Sequence, residues 1–266
     1  MNNDTAKEFS VSVIIPAYNE EERLPMTLKR ICDYLSKRSL SFEVIVVDDG
    51  STDRTAAIAE RFFQFRKAGT VLKNSGNHGK GFSVKQGVLH AQSKYILFSD
   101  ADLSTPIEEL DKLLQPIQDG SCDIAIASRA HKESDIRVPQ PWYRTLMGQI
   151  FNIFVQLVAV RGIRDTQCGF KCFKRDVAMR IFPQQQLTGF GFDVEILYIA
   201  RKAGHTIQEV PVAWINSPKS RVHVVTDSAR MFSDLWRIRL NDSRGRYRNE
   251  ERQTKVRQRS QTSSRY

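Results

Sequence analysis

Apolar and polar residues fall in alternating blocks through the first half of the chain. Residues 11–16 form an uninterrupted apolar, β-branched run that predicts a buried strand. Residues 20–37 place Leu24, Leu28, Ile31 and Leu35 at helical spacing on one face. A second buried strand is predicted over 42–47, a helix over 55–65, a short strand from Val71 and a helix over 82–92. The run at 95–99 predicts another buried strand, 107–118 a helix and 123–128 a strand. Strands alternating with helices in this way argue for an α/β fold with a doubly wound, mostly parallel sheet. Ligands of such sheets sit outside the carboxyl ends of the strands.

The second half is less regular. Apolar residues at 143, 146, 147, 150, 151, 154, 157 and 158 form a helical stripe, opposed by Gln149, Asn152 and Gln156. This pattern suits a core or dimer helix, and equally a helix lying in a membrane interface. A helix is predicted from Arg175 and another over 189–204, which carries Asp193 and Glu195. A strand follows over 207–214. The helix predicted over 226–240 sets Met231, Leu235 and Ile238 against Arg230, Arg237 and Arg239. No repeat appears, no apolar run reaches the roughly 18 residues of a membrane span, and no signal peptide is expected at the polar start.

Charge sharpens the division. The 266 residues carry a net charge of +10 with a pI near 9.6, which favours anionic partners. Residues 241–266 hold eight Lys/Arg and three Asp/Glu, half of the total excess, with almost no aliphatic residues. They are expected to form a disordered basic tail. Residues 1–9 are expected to be flexible, leaving one domain over 10–240 with a nucleotide-binding half (10–130) and an acceptor and membrane side (131–240). The four cysteines show no Cys-x-x-Cys pairing and suit reduced thiols.

The candidate chemistry gathers at predicted strand ends. Asp100 and Asp102 follow the 95–99 strand, and an extended chain would turn both to one side. Two such carboxylates repel unless a cation lies between them, and oxygen ligands suit Mg²⁺ or Mn²⁺. They can also be read as loop acids, Asp102 capping the next helix. Asp48 and Asp49 end the second strand; they form a turn with Gly50 or accept hydrogen bonds from a nucleobase N–H or from ribose hydroxyls. The loop Gly76-Asn77-His78-Gly79-Lys80-Gly81 lacks Walker A spacing but can approach a diphosphate at a helix N-terminus. Arg129, Arg144 and Arg221 are cations of the kind that grip phosphate oxygens.

Taken in order, several stretches resemble the family-2 glycosyltransferases, and among them the polyprenyl-phosphate sugar transferases of the dolichyl-phosphate glucosyltransferase type. They are Val-Ile-Ile-Pro-Ala-Tyr-Asn-Glu (13–20), Val-Val-Asp-Asp-Gly-Ser-Thr-Asp (46–53), Asn-His-Gly-Lys-Gly (77–81), Ser-Asp-Ala-Asp-Leu-Ser (99–104), Ala-Ser-Arg (127–129), Asp-Thr-Gln-Cys-Gly-Phe-Lys (165–171) and Glu-Val-Pro-Val (209–212). The resemblance implies a GT-A fold and inverting transfer of a hexose from a nucleotide sugar to a polyprenyl phosphate. It implies that Pro16, Tyr18, Glu20 and Asp49 hold the nucleoside, with Asp48, Lys80 and Ala101 completing the donor site. Asp100 and Asp102 would hold the metal and diphosphate, and Asp102, Arg129, Arg144 and Arg221 would carry catalysis. Ser104 stands where related mannosyltransferases have Gln, which favours UDP-glucose over GDP-mannose. The implied partners are a UDP-hexose, the lipid phosphate and the cytoplasmic face of a membrane, on which the protein would be peripheral. Two other readings are transfer to a sugar hydroxyl, with Asp193 or Glu195 as base, and a nucleic-acid-binding protein. The latter explains the tail but not the acids at strand ends, so no nucleic acid is expected.

Overall fold

A computed structural model describes residues 10–38, 40–138, 142–216 and 224–247. The predicted alternation forms β1 (Ser10–Ala17), α1 (Leu24–Ser36), β2 (Ser41–Asp48), α2 (Thr55–Phe63), β3 (Gly69–Lys73), α3 (Lys80–His90), β4 (Tyr95–Ser99), α4 (Leu110–Gln118) and β5 (Ile124–Ser128). Then come β6 (Asp135–Val138), α5 (Trp142–Val158), β7 (Phe170–Lys174), α6 (Arg175–Ile181), α7 (Phe192–Lys202), β8 (Ile207–Pro211), β9 (Ala213–Ile215) and α8 (Val224–Ser243).

Seven strands make one sheet in the order β3-β2-β1-β4-β7-β5-β8. All neighbours are parallel except β7, which runs antiparallel between β4 and β5. Each apolar run is continuous because both faces of the sheet are covered. Along β1, Ile14 enters the core on one face while Val13 and Ile15 enter the core on the other. The first chain reversal falls between β1 and β4, so the crevice at their carboxyl ends is the topological switch point.

Four sequence-based expectations change. Residues 170–174 are a central strand, although no strand was predicted there: Lys171 is fully buried and its charge is paired with Asp193. Residues 207–214 are not one strand. β8 joins the large sheet, while β9 pairs with β6 in a second, two-stranded sheet. The predicted start of the tail at residue 241 is also wrong. Helix α8 continues to Ser243, and Asn241 and Tyr247 are buried, Tyr247 at 2% exposure. The Tyr247 hydroxyl donates to Glu195 Oε1 at 2.5 Å and accepts from Asn241 Nδ2 at 3.2 Å. Residues 1–9 and 248–266 lie outside the described residues.

Finally, α5 is neither a plain core helix nor a plain surface helix. Phe151 and Val155 are buried, yet Leu146, Ile150, Ile153, Phe154 and Leu157 are exposed. Its polar edge turns inward: Asn152 Nδ2 donates to the Arg164 carbonyl at 2.5 Å, and Gln156 donates to Asn152. Phe151 and Phe154 pack edge-on against Phe232 of α8.

Candidate active site

An open groove of about 2010 Å³ runs along the switch point and under α5 and α8. Pro16, Tyr18, Glu20, Asp49, Lys80, Asp100, Ala101, Asp102 and Arg129 all line it. Asp48 does not line it. That residue is buried behind the strand ends, where its Oδ2 accepts from the Ser51 N–H. Arg221 lies outside the described residues, as does the side chain of Arg144.

The two groove carboxylates are held by a turn, not by extended chain. The Leu103 N–H donates to the Asp100 carbonyl at 3.2 Å, and Leu103 takes a φ of 47°. Thr27 Oγ1 donates to the Ala101 carbonyl at 2.6 Å, and the Ser104 N–H donates to Asp102 Oδ1 at 3.0 Å. The Asp100 N–H is tied to the Gly169 carbonyl at 3.0 Å. Asp102 therefore bonds its own turn rather than capping a helix. Burial raises its pKa, and the charge on Asp100 raises it further.

Asp49 organises the glycine-rich loop. Its Oδ1 accepts from the His78 N–H at 3.0 Å and Asn74 Nδ2 at 2.8 Å, its Oδ2 from the Gly79 N–H at 2.8 Å. Gly79 has φ +100°, and a Cβ there would press on the Thr188 carbonyl, so the position requires glycine. The loop delivers Lys80, whose Nζ lies 2.6 Å from Asp100 Oδ1. Burial opposes the lysine's charge, but Asp100, Asp193 and Asp102 outweigh it and hold its pKa above the ordinary value.

Further residues complete the groove or the core behind it, and sequence reasoning had passed over Arg23 and given Asp165 no partner. Arg23 meets Glu20 in a bidentate pair at 2.6 Å per bond and lies 3.9 Å from Asp102. The i,i+3 spacing of Glu20 and Arg23 is a local signal for this pair that the sequence reading did not use. Asp165 takes the Nε and Nη2 of Arg129 at 2.7 and 2.8 Å and also its backbone N–H at 2.8 Å. Burial pushes the Asp165 carboxyl up, but Arg129 outweighs this and holds it below the usual range. Arg129 also sits 5.5 Å above the Trp214 ring. Lys171 donates to Asp193 at 2.5 Å and to the Cys168 carbonyl at 2.7 Å, entirely buried. Glu195 accepts the Gln186 and Leu187 N–H groups together with Tyr247.

A divalent cation fits this donor set. Asp100 and Asp102 offer oxygen ligands from one turn on the groove wall. Among the described residues no cluster of three His, Cys, Asp or Glu gathers, so a diphosphate and water would supply the remaining ligands. That division suits Mg²⁺ and Mn²⁺ better than a structural metal.

A mostly parallel sheet with an acidic turn at its switch point, facing a groove lined by cations, is the arrangement of a GT-A glycosyltransferase fold. The sequence model of glycosyl transferase family 2 matches residues 12–182, and the chain belongs to that family. The human dolichyl-phosphate beta-glucosyltransferase is 38% identical over 255 residues, covering 91% of this chain and 78% of that protein. Its Dictyostelium discoideum counterpart is 37% identical over 250 residues, covering 90% and 76%. A glucosyl-3-phosphoglycerate synthase from Mycobacterium tuberculosis, solved with Mn²⁺, UDP-glucose and phosphoglyceric acid, shares the fold. Its TM-score is 0.66 at 17% identity, covering 88% of this chain and 81% of the other.

Proposed function

We propose that the protein transfers glucose from UDP-glucose to a dolichyl-type polyprenyl phosphate with inversion at the anomeric carbon. The observation that carries this reading is the pairing of an acidic turn with a helical groove wall, α5 and α8, that leaves Ile153, Leu157, Trp236 and Leu240 exposed. The two relatives named above are called dolichyl-phosphate beta-glucosyltransferases, which supports the choice of sugar and acceptor.

The chemistry asks little of the protein beyond placement and charge. A phosphate monoester has a second pKa near 6, so it arrives as an anionic nucleophile and needs no general base. Its oxygen forms the new bond to the anomeric carbon from the face opposite the diphosphate. The bond from that carbon to the UDP oxygen breaks, and UDP leaves with the electron pair. Mg²⁺ or Mn²⁺ bound by Asp100 and Asp102 would neutralise the departing diphosphate. Lys80 adds a positive charge on the same side, Tyr18, Pro16 and Glu20 line the nucleoside end, and Asp49 fixes the loop between them. Arg129, locked by Asp165, is a preset charge that needs no reorganisation during transfer. Arg144 and Arg221 are the proposed contacts to the acceptor phosphate.

Transfer to a sugar hydroxyl has less support. Asp193 is bridged by the Lys171 ammonium, and Glu195 is held by two backbone N–H groups and Tyr247. Neither is a free base facing an acceptor.

Membrane contact belongs to this reading. No helix among the described residues is long and apolar enough to cross a membrane. Yet Leu157 and Trp236 are 71% and 70% exposed beside Ile153 and Leu240, more apolar surface than scattered residues explain. This face would rest on the cytoplasmic side of the bilayer that holds the acceptor.

The test is direct. Purified protein with Mg²⁺ or Mn²⁺ is given a panel of nucleotide sugars and a polyprenyl phosphate, and the lipid product is identified. Glucosyl lipid from UDP-glucose is expected. Product from GDP-mannose alone, or transfer only to a lipid-free sugar, would overturn the assignment.

A further inference from the structure

The acidic turn has a cationic side chain against it. Lys80 Nζ sits 2.6 Å from Asp100 Oδ1, inside hydrogen-bond range. Asp100 has little room to turn away from it, because a Cβ on Gly169 would already run into the carboxylate. The ammonium of Lys80 also lies 5.9 Å from the centres of the Phe98 and Phe192 rings, and the side chain reaches the groove from the first residue of α3. Asp102, by contrast, faces Arg23 only at 3.9 Å, and Arg23 is gripped by Glu20.

A metal ion and an ammonium group cannot share one carboxylate oxygen without strong repulsion. A diphosphate, however, offers the ammonium a new anionic partner. We propose that Lys80 is a built-in substitute for the divalent cation. It neutralises Asp100 while no donor is bound and releases that carboxylate when a nucleoside diphosphate enters, so donor and metal bind as a coupled pair. Metal alone then meets a site in which Lys80 is a competitor, and the donor removes that competitor. This rests on the assignment of the cation to Asp100 and Asp102 and adds to it an order of events.

Mn²⁺ binding to the full chain, followed by the electron paramagnetic resonance of the free ion with and without UDP, tests the idea. Lys80→Met and Lys80→Gln, checked for folding by circular dichroism, should bind Mn²⁺ about tenfold or more tightly in the absence of UDP. The enhancement by UDP should shrink by the same factor, within the roughly 5- to 150-fold range of coupled sites. Lys80→Arg should behave like the unmodified chain. Unchanged nucleotide-free Mn²⁺ affinity with weaker UDP binding would make Lys80 a simple phosphate ligand and overturn the proposal. Absence of Mn²⁺ binding even with UDP would instead overturn the metal assignment itself, and the proposal with it. Crystals of the unmodified chain give a second readout. With Mn²⁺ and UDP bound, Lys80 should lie beyond hydrogen-bond distance of Asp100, and a retained contact would refute the exchange.

Discussion

The two walls of the groove are built by opposite means. On the strand-end wall, buried carboxylates hold backbone in place: Asp49 fixes the glycine-rich loop and Asp165 fixes Arg129. On the helical wall, α5 ties Asn152 and Gln156 into the protein and leaves Ile150, Ile153 and Leu157 exposed, and α8 adds the exposed Trp236 and Leu240. A wall of prearranged charge suits a small polar donor that is fully enclosed. A wall whose apolar surface faces away from the protein suits an acceptor most of which never enters it.

The sharpest way to break this contrast is on the polar wall. Asp102→Asn should cut turnover by at least about 100-fold, the scale of losing one electrostatic stabiliser, with an unchanged circular dichroism spectrum. Near-normal activity would remove the acidic turn from the chemistry. Ending the chain after Leu240 removes the buried Tyr247 ring and should cost about 3–5 kcal/mol, as loss of a large core aromatic does. Ending it after Tyr247 should leave the melting temperature nearly unchanged. Asp165→Ala should leave the partly exposed Arg129 without its partner and cost about 1.5–3 kcal/mol in urea denaturation, the scale of a charged hydrogen bond. A change below 1 kcal/mol would mean that the pair is not the fixed element described here.

On the helical wall the effects should be selective. Replacing Ile153 and Leu157 by Ser should weaken association with anionic liposomes by about tenfold per residue, from roughly 1.5 kcal/mol of lost burial each. UDP affinity should hold, and stability should move by no more than about 0.5 kcal/mol. A parallel loss of UDP affinity would show that the walls are not separate. The smallest effect concerns acid. Lys174 and Thr206 outweigh burial at Asp123 and lower its pKa to about 2. A carboxylate depressed in the folded state contributes stability that is present above pH ~4 and lost as pH falls through about 2. Asp123→Asn should flatten this part of the stability–pH curve; an unchanged slope would count against the pairing.

The parallel strands were legible because strands buried on both faces read as continuous apolar runs, as at residues 11–16 and 95–99. The acidic turn was legible from its place after such a run. β7 was not, because two of the five residues in Phe-Lys-Cys-Phe-Lys are lysines, and it takes Asp193, 22 positions away, to pair the charge of Lys171 in the core. Asp165 lay in a recognised stretch, but its partner is 36 positions away and no local spacing announces it. Tyr247 stands alone among Arg, Asn and Ser, and the composition that predicts disorder says nothing of one ring finding a slot beside Tyr198.

The late position of β7 in the chain bears on how the protein is made. Among the described residues strand β5 pairs with β7 and β8, and β7 separates it from β4. A nascent chain that has emerged as far as residue 128 therefore presents two fully apolar strand edges whose common neighbour has yet to be translated. Such edges are templates for wrong pairing. Slow emergence of residues 129–174 should make this interval the one in which a holding chaperone matters most. A ribosome stalled just after β5 should expose the strands to protease, and one stalled beyond β8 should protect them.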